Sequence, residues 1–215
     1  DYVKDLVLEV VRQYEVDAIH FDDYFYPYPK AGDPFPDDST FYLYAKDTTD
    51  RPAWRRDNVN QFIRDLRRDL LDTKPEVQFG ISPFGVWRNQ SSAPKGSATR
   101  AGVTSYDALH ADILYWLEKG WLDYVAPQLY FSIGFPPADY QILLDWWIKN
   151  ASNTHLYIGH SVYKVGNNSD QNWNKPDEIQ RQIQLIRRNE VEGSIFFRAK
   201  FLEQNPLSVT DSLRI

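Results

Sequence analysis

Cysteine is absent from the 215-residue chain, which excludes disulfides and thiolate metal sites and leaves the redox compartment unreadable from thiols. Methionine is absent as well. Positive charge is in short supply: 24 Lys and Arg face 30 Asp and Glu, for a formal net charge of −6. Such a balance argues against nucleic acid, whose phosphates need clustered Lys and Arg, and against an anionic membrane surface. No apolar run approaches the roughly 20 residues that span a bilayer, so membrane insertion by this chain is not expected. The opening "DYVKDLVLEVV" has neither the basic start nor the cleavage site of a signal peptide. Neither G-x-G-x-x-G nor G-x-x-x-x-G-K-[ST] occurs, so the phosphate turn of a dinucleotide or nucleotide site is missing and no cofactor is expected.

What remains is the composition of a globular protein, 42% hydrophobic and 25% charged, with an aromatic surplus of 7 Trp, 14 Tyr and 12 Phe. Most of these rings are expected in a bulky core. The exceptions are rings in loops, where a neutral partner fits better than a charged one.

Strand and helix patterns alternate along the chain. Val3, Leu6, Val7, Val10, Val11 and Tyr14 share one helix face, and "VDAIHF" follows as a strand. "DRPAWRRDNVNQFIRDLRRDLL" reads as a helix with Asp50 as cap and Pro52 in its first turn. Next come "VQFGIS" as strand, "YDALHADILYWLEKG" as helix ended by Gly120, "DYVAPQLY" as strand and "ADYQILLDWWIKN" as helix. "HLYIGH" as strand, "PDEIQRQIQLIRRN" as helix, "GSIFF" as strand and a short helical tail around Val209 to Leu213 complete the series.

This alternation predicts parallel strands joined by right-handed crossovers. The loops after the strands are long and rich in Trp, Tyr, Pro, Asn and Gly, whereas those after the helices are short, which is the asymmetry of an α/β protein of the (β/α)8 TIM-barrel type. Five strands are visible where a full barrel has eight, so residues 1–215 read as the C-terminal portion of a single barrel domain, the C-terminal five or so βα units.

In such a fold the chemistry sits at the strand C-terminal ends. The first strand ends in His20, Asp22 and Asp23, followed by Tyr24 and Tyr26; the second leads to Ser82, Trp87, Arg88 and Asn89. The third ends in Gln128 and Tyr130, the fourth in His160, Tyr163 and Lys164, and the fifth in Arg198 and Lys200. Two adjacent carboxylates repel each other, so in a partly dry site one keeps a proton and the pair offers an acid beside a base. Glycoside hydrolysis needs that division of labour. Where the sugar carries a 2-acetamido group, the group itself acts as nucleophile while one carboxylate orients it and the other supplies the proton. Aromatic surroundings suit this chemistry, because flat rings stack on the apolar faces of sugars.

Plainer readings stand beside it. An isolated "DD" is a common surface turn, a lone histidine is more often a hydrogen-bonded core residue than a ligand, and Arg198 and Lys200 can serve simply as ion-pair partners closing the barrel. A metal site from His20, Asp22, Asp23 and His160 is conceivable, although no H-x-H or H-E-x-x-H supports it. Trp54, Trp87 and Trp173 are the tryptophans that the pattern places in strand-end loops.

"IHFDDYFYPYP", "WRRDNVNQFI", "FGISPFGVWRN", "GWLDYVAPQLYF", "LYIGHSVYKVG" and "GSIFFRAKFL" together resemble successive blocks of the glycosyl hydrolase-like 10 family, from Val3 to Arg214 and in the right order. The resemblance implies a bacterial (β/α)8-barrel protein, usually exported and often lipid-anchored, with glycosidase activity on peptidoglycan glycan strands stripped of their peptides. Those sugars are 2-acetamido sugars, in keeping with the adjacent-aspartate scheme. It also implies an extracytoplasmic location and barrel-mouth carboxylates at Asp22 and Asp23, with the "SPFG-W" block on Ser82 through Trp87; the family's first barrel strands lie upstream of anything seen here. The expectation is a glycoside hydrolase with Asp23 as general acid and Asp22 as the partner of the acetamide. His20, Tyr24, Tyr26, Ser82, Arg88, Gln128, Tyr130, His160, Tyr163 and Arg198 are expected to contact the saccharide, and Trp87 and Trp173 to form stacking platforms. A carbohydrate-binding protein on a degenerate barrel is the alternative, and a metal-dependent hydrolase a second; the sequence sets no oligomeric state.

Overall fold

Each strand pairs in parallel with the next one along the chain: β1 (Ala18–Phe21), β2 (Gln78–Ile81), β3 (Tyr124–Val125), β4 (His155–Ser161) and β5 (Gly193–Phe197) form one five-stranded sheet in sequence order. The computed structural model describes residues 2–45 and 48–213; Arg214, where the family resemblance ends, lies outside them. The sheet curls into half of a TIM-type barrel flanked by helices. Those helices are α1 (Tyr2–Gln13), α2 (Asp38–Tyr44), α3 (Arg51–Thr73), α4 (Ile113–Glu118), α5 (Tyr140–Asn150), α6 (Glu178–Arg188), α7 (Ala199–Gln204) and α8 (Val209–Ser212).

Alternation along the strands divides two environments. Phe79, Ile81, Val125, Leu156 and Ile158 are buried in the core shared with Ile63, Leu66 and Leu70 of α3 and Leu143, Leu144 and Trp147 of α5. Their neighbours form the inner face. There His20 stacks on Tyr124 with ring centroids 5.6 Å apart, and Tyr124 meets Tyr157 edge-on at 5.9 Å. Gly80 stands between His20 and Tyr124 in register, and a Cβ on it would overlap the Tyr124 ring. The glycine is what lets the aromatic ring lie across the sheet. A bidentate ion pair joins the layers: Arg67 on α3 donates to both oxygens of Asp123 at 2.6 Å, and Asp123 also accepts from the backbone of Phe79 at 2.8 Å.

The helix starts follow the sequence. Asp50 accepts from Ala53 N before α3, with Pro52 in the first turn, and Asp139 accepts from Gln141 N before α5. Gly120 adopts φ +64° just past α4, as its predicted terminating role requires. Two expectations are corrected. The helix predicted from Tyr106 to Gly120 forms only at α4, because Thr104 and Asp107 bond each other in a competing turn, His110 takes φ 53°, and Asp112 caps the shortened helix. The strand predicted from Asp123 to Tyr130 pairs continuously only at Tyr124–Val125, since Pro127 has no N–H to donate; Gln128 rejoins the ladder through isolated bridges to Phe84 and Gly159. The expected apolar face of α1 is only partly covered: Val11 is buried and Val7 packs on the core, but Val3, Leu6, Val10 and Tyr14 remain exposed. No described element lies over that side.

Candidate active site

The loop that leaves β1 carries the two adjacent aspartates into different surroundings. Asp22 is exposed, whereas Asp23 is only 2% exposed. Asp22 Oδ1 accepts from Asp23 N at 2.8 Å and from Gln128 Nε2 at 2.7 Å, and the same amide nitrogen donates to Ser82 O at 3.0 Å. The Gln128 amide thereby ties together the ends of three strands. Asp23 Oδ2 accepts a hydrogen bond from the Tyr28 hydroxyl. Burial pushes the Asp23 carboxyl above its ordinary pKa; the Tyr28 bond works against this and the charge of Asp22 adds to it.

Farther along, the loop is clamped to α3. Arg55 donates Nε and Nη2 to the two oxygens of buried Asp37, each at 2.7 Å, and this bonding holds Asp37 below its ordinary pKa. Arg51 also pairs with Asp37, and Tyr26 packs edge-on against buried His110 at 5.0 Å.

A cavity of about 320 Å³ opens beside the acid pair at the C-terminal ends of the strands, the end where barrels of this type place their sites. Its walls include Asp22, Asp23 and the rings of Tyr130, Tyr163 and Phe197. Tyr130 and Phe197 lie tilted at 6.1 Å, and Tyr163 meets each edge-on at the same separation. Lys164 also lines the cavity; its Nζ donates to Tyr130 O at 2.5 Å, and burial lowers its pKa. A larger cavity of about 600 Å³ lies on the other side of Asp22 and Tyr24, walled chiefly by apolar groups of α1, α3 and the loop, among them Val3, Phe21, Phe35 and Phe62. The smaller cavity has the chemistry, the larger one mostly carbon.

Several expected site residues meet there: Asp22, Asp23, Tyr24, Gln128, Tyr130 and Tyr163 all line the smaller cavity. His20 lines the larger cavity instead and Ser82 lines neither, His20 Nε2 lying 2.8 Å from Ser82 Oγ and Nδ1 2.9 Å from the Tyr124 hydroxyl oxygen. Others are corrected. His160 is fully buried on the outer face, 3.0 Å from Gln182 Oε1 and 3.1 Å from Ser194 Oγ, because one step along a strand reverses the side-chain direction. The metal set that would have needed His160 is therefore not assembled, and the described residues contain no cluster of three or more potential ligands. Trp87 and Trp173 are core rings, 7% and 1% exposed: Trp87 stacks on Trp146 at 6.1 Å, and Trp173 belongs to a second apolar cluster with Val162, Ile179 and Val209. Trp54 lies on α3 against Phe41. Arg88 is committed to Asp107, at 3.0 and 2.9 Å, and to the Tyr106 ring. Tyr26 serves the loop clamp and the larger cavity, and Arg198 is exposed just ahead of α7 over Phe197 and Phe201.

Four lining residues are absent from the strand-end set read from the sequence, Tyr28, Phe84, Phe131 and Phe197, whereas Lys164 stands in that set without an assigned contact. Phe197 was accessible to the period of two, since it follows Ile195 on the inward parity of "GSIFF". Tyr28 had no spacing signal. Its role depends on a loop fold.

Residues 1–175 match the sequence profile of the Glycosyl hydrolase-like 10 family, and the chain belongs to that family. Among curated relatives, "Glycosyl hydrolase YngK" of Bacillus subtilis (strain 168) is 49% identical over 217 aligned residues, covering 99% of this chain and 42% of the relative. "Glycosyl hydrolase DigH" of Escherichia coli (strain K12) is 39% identical over 212 residues, covering 95% of this chain and 48% of the relative. The chain thus spans somewhat under half the length of the curated relatives it matches.

Proposed function

We propose that this chain supplies the acid pair and part of the saccharide cleft of a glycoside hydrolase acting on bacterial cell-wall glycan, namely denuded peptidoglycan strands or a related polysaccharide, in the extracytoplasmic space. The observation that carries the reading is the division between two neighbouring carboxyls: Asp23 is buried with its pKa raised, Asp22 is exposed and fixed by Gln128, and both line a cavity walled by Tyr130, Tyr163 and Phe197. The names of both relatives support the reaction class. The substrate rests on the family resemblance and on the fit of adjacent aspartates to a 2-acetamido sugar.

In this mechanism the acetamide oxygen attacks the anomeric carbon as the glycosidic C–O bond breaks, and the Asp23 proton passes to the leaving oxygen. Asp22 orients the acetamide N–H and balances the positive charge that develops on the closed ring. Water then opens that ring, returning its proton to Asp23. The rings of Tyr130, Tyr163 and Phe197 hold the apolar sugar faces. Asp22→Asn and Asp23→Asn in the full-length protein, assayed on denuded glycan strands, should each lower turnover about 10²- to 10⁴-fold; normal turnover in both defeats the assignment. Mass spectrometry of the products separates hydrolysis from mere carbohydrate binding, since a binder yields no shortened oligosaccharides. Chelator treatment addresses metal-dependent hydrolysis, which this mechanism does not use.

A further inference from the structure

The aromatic crowd after the acid pair contains one hydroxyl that touches a carboxylate. Tyr28 reaches back across the loop to Asp23 Oδ2. Its ring is seated edge-on against Tyr24 at 6.1 Å and against Phe84 of the loop after β2 at 6.3 Å. The sequence prepares this posture. Pro27 and Pro29 flank Tyr28, so φ is fixed on both sides, and the residue before a proline is held extended. The turn that brings the chain round begins at once, with Phe25 N donating to Asp23 O at 2.9 Å, and the Arg55–Asp37 pair anchors the far end.

The geometry points to Tyr28 as a positioning residue for the acid: its hydroxyl holds the Asp23 carboxyl in the wall of the cavity. This inference rests on the hydrolase reading for its catalytic meaning. A carboxyl with 2% exposure has almost no water to fix it, and an unpartnered oxygen there is costly and free to rotate. The tyrosine removes both problems. Burial and the Asp23 carboxylate both push the phenol's pKa upward, so it remains a donor throughout any working pH range. The bond strengthens when Asp23 has given up its proton, because the acceptor is then charged. Tyr28 therefore favours the state left after proton transfer.

The test is Tyr28→Phe, which keeps the ring and removes the donor. A ¹³C-carboxyl NMR titration should show the Asp23 midpoint rising by about one pH unit. Activity of a general acid is lost as pH rises through its pKa, so the basic limb of the kcat profile should move upward by the same interval. At the optimum kcat should fall about tenfold while KM changes less than about twofold. Tyr42→Phe, on an 88% exposed ring of α2, is the control and should leave the midpoint and the limb in place. An unmoved midpoint and limb in folded Tyr28→Phe overturn the inference, as does a loss confined to KM. If the wild-type protein cleaves no glycan, the hydrolase reading fails by itself, while the titration still decides whether Tyr28 holds Asp23.

Discussion

The two faces of the sheet make opposite use of the same residue type. On the inner face, His20 is exposed and shares the strand ends with Ser82, Tyr124 and Asp22. On the outer face, His160 is sealed between Tyr140 and Phe196, with Gln182 and Ser194 as its polar partners. Both histidines lie at the C-terminal side of a parallel strand, so closeness to the strand end does not distinguish them. Parity does. Gly159, one position before His160, occupies the inward register, where an added Cβ would sit 3.4 Å from the Tyr130 ring. A residue belongs to the site of such a barrel only if it satisfies both conditions, end and face.

Activity should separate the two faces most strongly. Asp22→Asn and Asp23→Asn on the inner side carry the largest expected losses, about 10²- to 10⁴-fold, whereas substitutions at His160 should leave KM for glycan unaltered in whatever protein remains folded. A steady-state assay on soluble fractions measures both.

Stability reverses the ranking. His160→Ala strands Gln182 Oε1 and empties a fully buried site, and should cost about 2–4 kcal/mol by urea unfolding; His20→Ala, at an exposed position, should cost less than about 1 kcal/mol. The contrast extends to pH. Burial lowers the pKa of His160 to about 4, and burial together with Arg55 and Arg56 does the same for His110. Between the ordinary value of 6.5 and about 4, the unfolded chain therefore binds more protons than the folded one, so stability is complete above 6.5 and is lost as pH falls toward 4. For His160 alone the loss approaches about 3 kcal/mol. Asp23 acts oppositely, since a raised folded-state pKa costs stability as pH rises from 3.8 upward and is relieved in acid. Urea midpoints for wild type and His160→Gln between pH 7 and 4.5 test the sign; a wild-type curve as flat as the variant's contradicts it.

Smaller effects separate the true platform from the expected one. Phe197→Ala should raise KM for glycan about tenfold, because a stacking ring is worth on the order of 1–2 kcal/mol. Trp87→Phe should change KM less than about twofold, its ring being packed on Trp146 and away from the cavity. Steady-state kinetics on glycan fragments check both.

The fold was legible where local signals agreed with tertiary packing. Asp50 with Pro52, and the alternating runs "VDAIHF" and "GSIFF", marked elements that the structure contains nearly as read. The acid pair was legible because a strand ran directly into it. Legibility ended where a side chain's surroundings depended on distant partners: the burial of Trp87 needs Trp146, that of Trp173 needs the second cluster, and the silence of Arg88 needs Asp107. Residue type announces a ring or a charge in a loop. It does not announce whether another element has already claimed it.

The Arg55–Asp37 clamp has a consequence well beyond its own ion pair. The acid-bearing segment is tethered at one end by β1 and at the other by the first turns of α3, so its length acts as a gauge. Insertions between Tyr24 and Asp37, or a slip of α3 by a single turn, would shift Tyr28 away from Asp23 without altering any residue of the cavity, and at positions other than Asp22, Asp23, Tyr28 and Asp37 this stretch should accordingly tolerate changes of side chain long before it tolerates changes in count.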